Sequence, residues 1–331
     1  MKKILITGAS GFIGSFLVEA ALEKKFEVYA CVRKSSNRIY LGDARIKFIE
    51  LDFSDDYSLA KKIAEAPFFD FVIHNAGITK AINKNQYYIS NFEYSKKLID
   101  VLIYQNKIPE KFIYMSSLAA YGPGNAITLN SIKLTDKPIP ITSYGRSKLE
   151  TEKYLIQLAN FPYIIIRPTA VYGPRDKDLL TVFKLINNNI ELNVGSKKQH
   201  LTFIYVRDLV VALFNALESD IVNKGYFVSD GNVYDSKILG SIIKEQLGKK
   251  TFKIDVPFFL AKLIAMVVES TKYITKKQTV LNFEKLNELK SVNWKCDNEP
   301  TITDLNFIPN YDLSRGVFET INWYKQNNWL K

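Results

Sequence analysis

The chain has 331 residues, of which 47% are hydrophobic, 24% charged and 13% aromatic. This length suggests about two domains, or one large domain with an appendage, and the apolar fraction is ample for a packed core. Disordered, collagen-like and coiled-coil classes are thereby excluded. The 45 Lys and Arg residues exceed the 34 Asp and Glu residues by 11. Because the lysines are spread along the whole chain, we interpret the excess as a solvated surface and expect no nucleic-acid partner.

The sequence contains little indication of a membrane span, a signal peptide or a metal site. The longest apolar stretch, residues 256–268, falls short of the roughly 20 residues of a membrane helix and contains Lys262, so no membrane span is expected. Gly8 and Gly11 interrupt the apolar start, which argues against a signal peptide and favours a cytoplasmic location. Cys31 and Cys296 are too few for a disulfide framework, and the two His and two Cys lie too far apart for a zinc site. We therefore expect no metal.

Apolar runs typical of strands alternate with helix-period segments over the first 170 residues. The predicted strands are 3–7, 27–32, 47–51, 69–74, 111–116 and 163–167. The predicted helices between them are 15–24, 58–65, 91–104 and 142–159. Strands that consist of continuous Ile, Val and Phe are buried on both faces. The pattern therefore predicts an α/β fold with a doubly wound parallel sheet.

The pattern becomes irregular after residue 167. A loop over 167–178 precedes predicted helices at 179–188 and 206–217, a strand at 226–229 and a helix at 313–327. We predict a first domain of residues 1–175, to which 200–232 return. Residues 176–199 and 233–331 would form a smaller, mostly helical substrate-binding part. The ligand is expected between the two, outside the carboxyl ends of the strands.

A glycine-rich turn joins the first strand to the first helix. Glycines at this point let backbone amides approach a pyrophosphate, and the helix N-terminus favours negative charge. The context of strand, turn and helix makes this a Rossmann-type dinucleotide site. Its predicted cofactor-binding residues are Gly8, Ser10, Gly11, Phe12, Ile13 and Gly14.

The end of the second strand predicts which nicotinamide cofactor is bound. An acidic residue there would bind the ribose 2′-hydroxyl of NAD, but the chain has Arg33, Lys34 and Ser35. Cations suit a 2′-phosphate. We therefore predict NADP over NAD, with Arg33 as the main partner and Lys34 or Ser35 assisting.

Two further strand ends are expected to contact the cofactor. Asp52, with Phe53 beside it, could accept a hydrogen bond from the adenine amino group or could cap the following turn. After the fourth strand, the small residues of the sequence Asn75-Ala76-Gly77 permit close approach to the cofactor. His74, just before them, is interpreted as a packed strand-end side chain.

Tyr144 and Lys148 lie four residues apart in a helix-period segment, so their side chains share nearly one face. A nearby ammonium stabilises a phenolate, and we therefore predict that Lys148 lowers the pKa of Tyr144 and makes it a usable acid or base. A bare Y-x-x-x-K is common by chance. Here it follows a predicted strand that ends near Ser116 and Ser117, whose hydroxyls could polarise a carbonyl oxygen.

Together these motifs resemble the extended short-chain dehydrogenases/reductases of the NAD-dependent epimerase/dehydratase family. The matching segments, in order along nearly the whole chain, are 7–14, 74–77, Asn91, 116–122, 144–148, 167–174, 203–208 and the tail from 305 to 329. The resemblance implies that Ser117 binds the substrate oxygen, Tyr144 exchanges a proton, and Lys148 binds the nicotinamide ribose and tunes Tyr144. It also implies that Asn91 supports the site, that Pro168 lines the nicotinamide side, and that a homodimer forms through the helices at 91–104 and 142–159.

Departures from the family pattern narrow the expected activity. Sugar-nucleotide dehydratases of this family have an acidic pair where this chain has Leu118 and Ala119, and epimerases usually have an Arg at the position of Leu201, although His200 and Lys198 lie close by. The chain looks more like the branch that acts on dihydroflavonols and 3β-hydroxysteroids, and the apolar stretch 256–268 is either an ordinary packed helix or a lid for a hydrophobic substrate.

We expect an NADP-preferring reductase or dehydrogenase of a ketone, aldehyde or secondary alcohol. A nucleotide-sugar epimerase or reductase is the first alternative, and a non-catalytic NADP-binding sensor is the second.

Overall fold

The computed structural model describes residues 1–195, 198–275 and 283–331. Its strands are β1 (Lys3–Thr7), β2 (Glu27–Val32), β3 (Lys47–Glu50), β4 (Phe71–His74), β5 (Lys111–Met115), β6 (Tyr163–Pro168), β7 (Ala170–Tyr172), β8 (Ile190–Val194), β9 (His200–Leu201), β10 (Phe203–Tyr205), β11 (Lys224–Val228), β12 (Tyr234–Asp235) and β13 (Phe252–Val256). The strands predicted over the first 170 residues are thus confirmed to within two residues at each end.

The helices fill the intervals that the sequence pattern predicts. They are α1 (Phe12–Glu23), α2 (Asp56–Glu65), α3 (Lys84–Tyr87), α4 (Tyr94–Tyr104), α5 (Ser143–Gln157), α6 (Leu180–Asn187), α7 (Val206–Glu218), α8 (Ile238–Leu247), α9 (Phe258–Thr275), α10 (Phe283–Lys290), α11 (Glu299–Leu305) and α12 (Leu313–Gln326). Two short irregular helices add to them, a π-helix at Tyr88–Glu93 and a 3₁₀ turn at Leu118–Ala120. The sequence predicted an α-helix from residue 91, whereas regular α4 begins only at Tyr94 because the π-helix precedes it.

Seven of the described strands form one parallel sheet in the order β3-β2-β1-β4-β5-β6-β11. The chain runs outward from β1 in one direction and then restarts at β4 in the other, so the strand order reverses between β1 and β4. Ligands of open parallel sheets bind at such a point, outside the carboxyl ends of the strands. The predicted doubly wound sheet is confirmed.

Apolar cores cover both faces of this sheet. On one face, α1 and α7 pack through residues such as Leu17 and Leu213. On the other, α2, α4 and α5 contribute residues such as Leu59, Leu98 and Leu155. A separate core lies in the C-terminal half between α6, α8 and α12. No helix in the part of the chain that the structure describes has the length and apolar character needed to cross a membrane.

The apolar stretch 256–268 differs from the ordinary packed helix that the sequence offered as one interpretation. β13 ends at Val256, and α9 begins at Phe258. Small residues of α9, Ala261 and Ala265, are buried, while the large Phe259 and Leu263 are exposed. The side chains of residues 267 and 268 lie outside the described residues, as do Lys276 and Lys277, a short basic cluster in the sequence.

Candidate active site

Three adjacent strands of the sheet, β1, β4 and β5, deliver most of the predicted site residues. The glycine turn follows β1, Asn75 to Gly77 follow β4, and Ser116 and Ser117 follow β5. Since the strands are parallel, all three segments meet at one edge of the sheet. The fold therefore brings together residues that are more than 100 positions apart in sequence.

The glycine turn is shaped by close backbone contacts. Gly8 has φ +66°, and a Cβ there would lie 2.9 Å from the backbone of Asn75 and Ala76. A Cβ on Gly14 would lie 2.0 Å from the carbonyl oxygen of Gly8, so only glycine allows the helix to start this close to the strand. Ser10, Phe12 and Ile13 surround the turn and are half-buried.

The first turn of α1 suits an anionic group. Gly11 is the N-cap of α1 and lies exposed, and as a glycine it has no side chain that could accept from the first helical amides. Unpaired amides and the helix dipole favour a phosphate at this position. The residues present therefore fit the pyrophosphate of a dinucleotide, and β4 supplies the adjacent wall, where the amide of Ala76 donates to Thr7 Oγ1 at 3.0 Å.

His74 is held inside the sheet. Its Nδ1 lies 2.8 Å from Thr7 Oγ1 and its Nε2 lies 2.8 Å from Ser95 Oγ. Burial lowers its pKa to about 3, so the imidazole is neutral at physiological pH. The interpretation of His74 as a packed side chain is confirmed.

The ends of β2 and β3 are open to solvent. Arg33 and Lys34 are exposed, and the Arg33 amide donates to Ser36 Oγ at 2.9 Å. Asp52 Oδ1 accepts from the amide and the hydroxyl of Ser54 at 2.9 and 2.5 Å, and these hydrogen bonds lower its pKa. The structure thus contains the turn cap that was one interpretation of Asp52, and the contact with the adenine amino group stays a prediction.

Phe53, the neighbour of Asp52, turns its ring toward the sheet. The ring is half-buried and lies 6.2 Å from both the His74 and the Tyr94 rings. The structure thus packs the predicted cofactor-binding side chain against the end of β4.

Helix α5 carries the predicted catalytic pair and is seated tightly on the turn after β5. Thr142 caps the helix, its Oγ1 accepting from the Gly145 amide at 3.0 Å. A Cβ on Gly145 would lie 2.1 Å from the carbonyl oxygen of Ala119, so this glycine lets α5 approach the 3₁₀ turn. As a result, the Ser117 hydroxyl lies near the Tyr144 hydroxyl and lowers the pKa of that phenol.

Lys148 reaches under the loop that follows β4. Its side chain is buried, its Nζ donates to the carbonyl oxygen of Met115 at 2.8 Å, and the Nζ lies 5.0 Å from the centre of the Tyr114 ring. A Cβ on Gly77 would lie 3.1 Å from that Nζ, so the loop and the ammonium are in direct contact. Burial lowers the pKa of Lys148 to about 8, although the carboxylate of Glu152 opposes this effect.

The pKa of Tyr144 moves opposite to the sequence prediction. Burial raises it to about 12, and the hydrogen bond with Ser117 offsets only part of that effect. The prediction that Lys148 makes this phenol acidic is wrong for this structure, because desolvation and the charge of Glu288 both raise the pKa of Tyr144 while the ammonium of Lys148 is directed at Met115. At neutral pH, the Tyr144 hydroxyl is therefore protonated.

Asn91 lies fully buried within the π-helix. Its Oδ1 accepts from the Ile78 amide at 2.8 Å, while its Nδ2 donates to the Ile78 carbonyl at 3.1 Å and to Ser147 Oγ at 3.0 Å. The side-chain amide therefore ties the loop after β4 to α5. By holding this loop against α5, Asn91 helps to position Lys148, as expected of a residue that supports the site.

Sequence reasoning missed a buried polar network next to the pair. Glu152 makes several hydrogen bonds with Arg167, the closest at 2.9 Å, and also accepts from the Ser116 hydroxyl. Both charged side chains are almost fully buried. The available signal was spacing, since Glu152 follows Lys148 by four residues and shares its helix face. Pro168, next to Arg167, is buried at the end of β6, beside β5.

A C-terminal helix also contacts the site. Glu284 of α10 accepts from the Ser143 amide at 2.8 Å, one residue before Tyr144. The charge of Glu288 on the same helix raises the pKa of Tyr144 further, and the Tyr87 ring lies 6.2 Å from the Tyr144 ring. Local sequence patterns contain no signal for the contacts of α10 with α5, because these two helices lie about 140 residues apart in the chain.

Comparison with known proteins decides the family. The NAD dependent epimerase/dehydratase family matches residues 4–228. The chain belongs to this family. It is therefore an enzyme of the NAD(P)-dependent type, and the interpretation as a non-catalytic sensor is not supported.

The individual relatives have different activities. A UDP-glucose 4-epimerase of Vibrio cholerae is 26% identical over 312 residues, covering 89% of this chain and 90% of that protein. A ceramide reductase of Caulobacter vibrioides is 24% identical over 331 residues, covering 99% and 96%. The structure of a UDP-glucuronic acid 4-epimerase from Bacillus cereus, solved in complex with NAD, aligns with a TM-score of 0.76 and 22% identity over 98% of this chain and 99% of that one. Because that structure contains NAD, the comparison gives no support to the predicted preference for NADP.

Proposed function

We propose that this enzyme oxidises and reduces a secondary-alcohol carbon of a nucleotide sugar, as an epimerase or reductase, with Ser117, Tyr144 and Lys148 as its catalytic residues. One observation carries the proposal. Tyr144 is half-buried beside the Ser117 hydroxyl, which lowers its pKa, and the buried Lys148 lies one helical turn away under the loop where the cofactor is expected. A proton donor, a second hydroxyl and an ammonium thus converge at the switch point of the sheet.

Each of the three side chains has a distinct task. Tyr144, with its pKa raised to about 12, gives its proton to a substrate oxygen as a carbonyl is reduced and takes one back in the reverse direction. Ser117 holds the same oxygen and fixes its position relative to the phenol. Lys148 supplies positive charge beneath the site and donates to the ribose hydroxyls of the dinucleotide. The nicotinamide, when bound, supplies the hydride acceptor or donor.

For the cofactor we propose NAD held by the glycine turn, by Asn75 to Gly77 and by Lys148. The NAD-containing relative supports this choice. Arg33 and Lys34 are exposed and can bind the 2′-phosphate of NADP. Binding of NAD and binding of NADP are therefore to be compared directly. If NAD is the natural cofactor, Arg33→Asp weakens NADP binding and leaves NAD binding within about twofold in a fluorescence titration. Loss of NAD binding in that variant contradicts the assignment.

The nucleotide-sugar substrate rests on the family and on the epimerase relatives. Elimination of water is not part of the proposal, since Leu118 is apolar and buried and Ala119 has no acid–base group. We further propose that residues 176–199 and 233–331 hold the part of the substrate distant from the nicotinamide. The helices α4 and α5, which expose Tyr104 and Ile156, are proposed to form a homodimer contact.

A second candidate function is net reduction of a hydrophobic ketone. It is favoured by Leu201, which stands where family epimerases usually have a diphosphate-binding Arg, and by the full-length similarity to a ceramide reductase. A buried diphosphate without a guanidinium partner would be held weakly. The two candidates differ in the polar or apolar character of the substrate rather than in the chemistry of Tyr144.

One experiment separates the two functions. The purified protein is incubated with NAD and a panel of UDP- and dTDP-sugars, and epimers are separated by chromatography. In parallel, NADH and NADPH oxidation is followed with long-chain and aromatic ketones. Conversion of a nucleotide sugar with no net change in nicotinamide supports the epimerase. Nicotinamide oxidation by apolar ketones alone supports the second candidate, and no turnover in either panel contradicts both.

A further inference from the structure

Helix α9 shows an unusual distribution of side chains. Its small residues Ala261 and Ala265 are buried at 1% and 0% exposure, whereas Phe259 and Leu263 are exposed at 67% and 52%. Leu260 and Ile264, at 41% and 43%, lie beside them. A surface helix of a globular protein normally turns such large apolar residues inward. The outward face of α9 therefore resembles a buried face without its partner.

Strand β13 carries two further exposed apolar residues next to α9 in the chain. Side chains alternate along a strand, so Phe252 and Ile254 share a face with Val256. Val256 packs with Ala261 and Ala265 of α9, while Phe252 and Ile254 are 75% and 39% exposed. Pro257 alone separates β13 from α9. We call the six exposed residues the α9–β13 surface: Phe252, Ile254, Phe259, Leu260, Leu263 and Ile264.

Exposed cations accompany this surface. Lys250 precedes β13, Lys253 lies on it, and Lys262 is an exposed residue of α9. Asp255, also exposed, accepts from Asn193 Nδ2 at 3.0 Å. Apolar side chains that can enter the acyl boundary, with lysines beside them, are complementary to an anionic lipid surface. A second copy of the chain fits less well, because symmetric contact would bring the same lysines face to face.

The surface lies one helix away from the proposed catalytic site. Leu286 of α10 is buried against Ala261 and Ala265. Two residues earlier on α10, Glu284 accepts from the Ser143 amide at the start of α5. Any group that binds to α9 is therefore connected through α10 to the helix that carries Tyr144.

We propose that the α9–β13 surface docks the enzyme on an anionic membrane. Phe259 and Leu263 enter the boundary between headgroups and acyl chains, and Lys250, Lys253 and Lys262 bind lipid phosphates. The attachment is peripheral, with α9 lying in the plane of the interface. This inference stands apart from the proposed activity, since it predicts where the protein binds irrespective of which substrate it converts.

Vesicle flotation of the full-length protein tests the inference. Vesicles of phosphatidylcholine alone are compared with vesicles that contain about one-third phosphatidylglycerol, at low and at high salt. We expect binding to the anionic vesicles that decreases as salt rises. The double variant Phe259→Ser/Leu263→Ser is expected to weaken binding by at least about tenfold, and so is Lys250→Glu/Lys253→Glu/Lys262→Glu.

Matched variants control for general changes in hydrophobicity and charge. Phe318→Ser/Ile308→Ser removes two exposed apolar residues elsewhere, and Lys137→Glu/Lys184→Glu/Lys325→Glu reverses three other exposed lysines. Both controls are expected to float like the wild type, and circular dichroism verifies that every variant is folded. The proposal is overturned if the wild type does not float, or if the α9–β13 variants float as well as it does. It is also overturned if Phe259→Ser/Leu263→Ser converts a dimer to a monomer without changing vesicle binding.

Discussion

Two polar clusters pack against helix α5, and each contains one of two neighbouring serines, Ser116 and Ser117. Ser116, Glu152 and Arg167 form a closed network in which the carboxylate meets both a guanidinium and a hydroxyl. In the other cluster, the Ser117 hydroxyl lowers the pKa of Tyr144, and Lys148 donates to a backbone carbonyl. The first cluster has paired its charges. In the second, Lys148 forms no ion pair with a carboxylate of the described residues, and burial has raised the pKa of the phenol.

The difference separates a structural cluster from a proposed catalytic one. A buried ion pair is costly to break, because a lone charge is left without solvent. A buried lysine or tyrosine that lacks a full ion pair instead shifts its pKa, which prepares it to exchange a proton. Substitutions in the two clusters are therefore expected to affect different quantities, stability in one and turnover in the other.

The largest expected effect on stability follows loss of the carboxylate. Glu152→Gln leaves Arg167 as an unpaired buried cation, and we expect the free energy of unfolding to fall by about 3–5 kcal/mol. Urea denaturation followed by circular dichroism measures it. The double variant Glu152→Met/Arg167→Met removes both charges and is expected to recover most of the loss. A single variant as stable as the wild type would show that the pair is not a structural unit.

Lysine 148 is expected to give the site its pH dependence. Because its pKa is lowered to about 8, the ammonium is lost above that pH, and kcat/KM for carbonyl reduction should fall by about tenfold per unit as pH rises beyond 8. Lys148→Met should lower the rate about 100-fold and abolish this limb of the profile. A profile that stays level to pH 10 in the wild type would contradict the assignment.

The same shift predicts a signature in stability. Between pH 8 and 10.5, the usual pKa of lysine, the unfolded chain still holds a proton that folded Lys148 has released. Stability of the wild type should therefore rise with pH in this window relative to Lys148→Met, by up to about 1.4 kcal/mol per unit. Thermal denaturation of both proteins at several pH values measures the difference. Parallel curves would show that the ammonium is not desolvated.

Substitution of the two serines is expected to have the smallest effects and provides the most closely matched comparison. Ser117→Ala removes the hydroxyl that bonds Tyr144, and we expect turnover to fall by about 10- to 100-fold with little change in stability. Ser116→Ala removes a bond to Glu152 and should cost about 1–3 kcal/mol of stability with turnover within a few-fold. Steady-state kinetics measures the turnover of both variants, and urea denaturation measures their stability. If Ser116→Ala lost turnover and Ser117→Ala lost stability, the assignment of the two clusters would be reversed.

Local patterns predicted the fold class and much of the site, because strand composition and the glycine turn depend on short-range chemistry. Continuous apolar strands gave the parallel sheet, and the spacing of Tyr144 and Lys148 placed both on α5. The pKa of Tyr144 was predicted in the wrong direction, since charge is visible in a sequence and desolvation is not. Local spacing shows only that Glu152 shares a helix face with Lys148, whereas its bonds to Ser116 and Arg167, and the contact of Glu284 with α5, depend on how separate strands and helices assemble.

The most direct test of the account is the Tyr144→Phe variant, measured for cofactor binding and turnover in the same preparation. The phenylalanine keeps the ring and removes only the hydroxyl that Ser117 contacts. We predict that the dissociation constant for NAD stays within about twofold, while turnover of the substrate identified in the screen falls by about 1,000-fold or more. Turnover close to that of the wild type, with NAD bound normally, would contradict the claim that this phenol exchanges the proton.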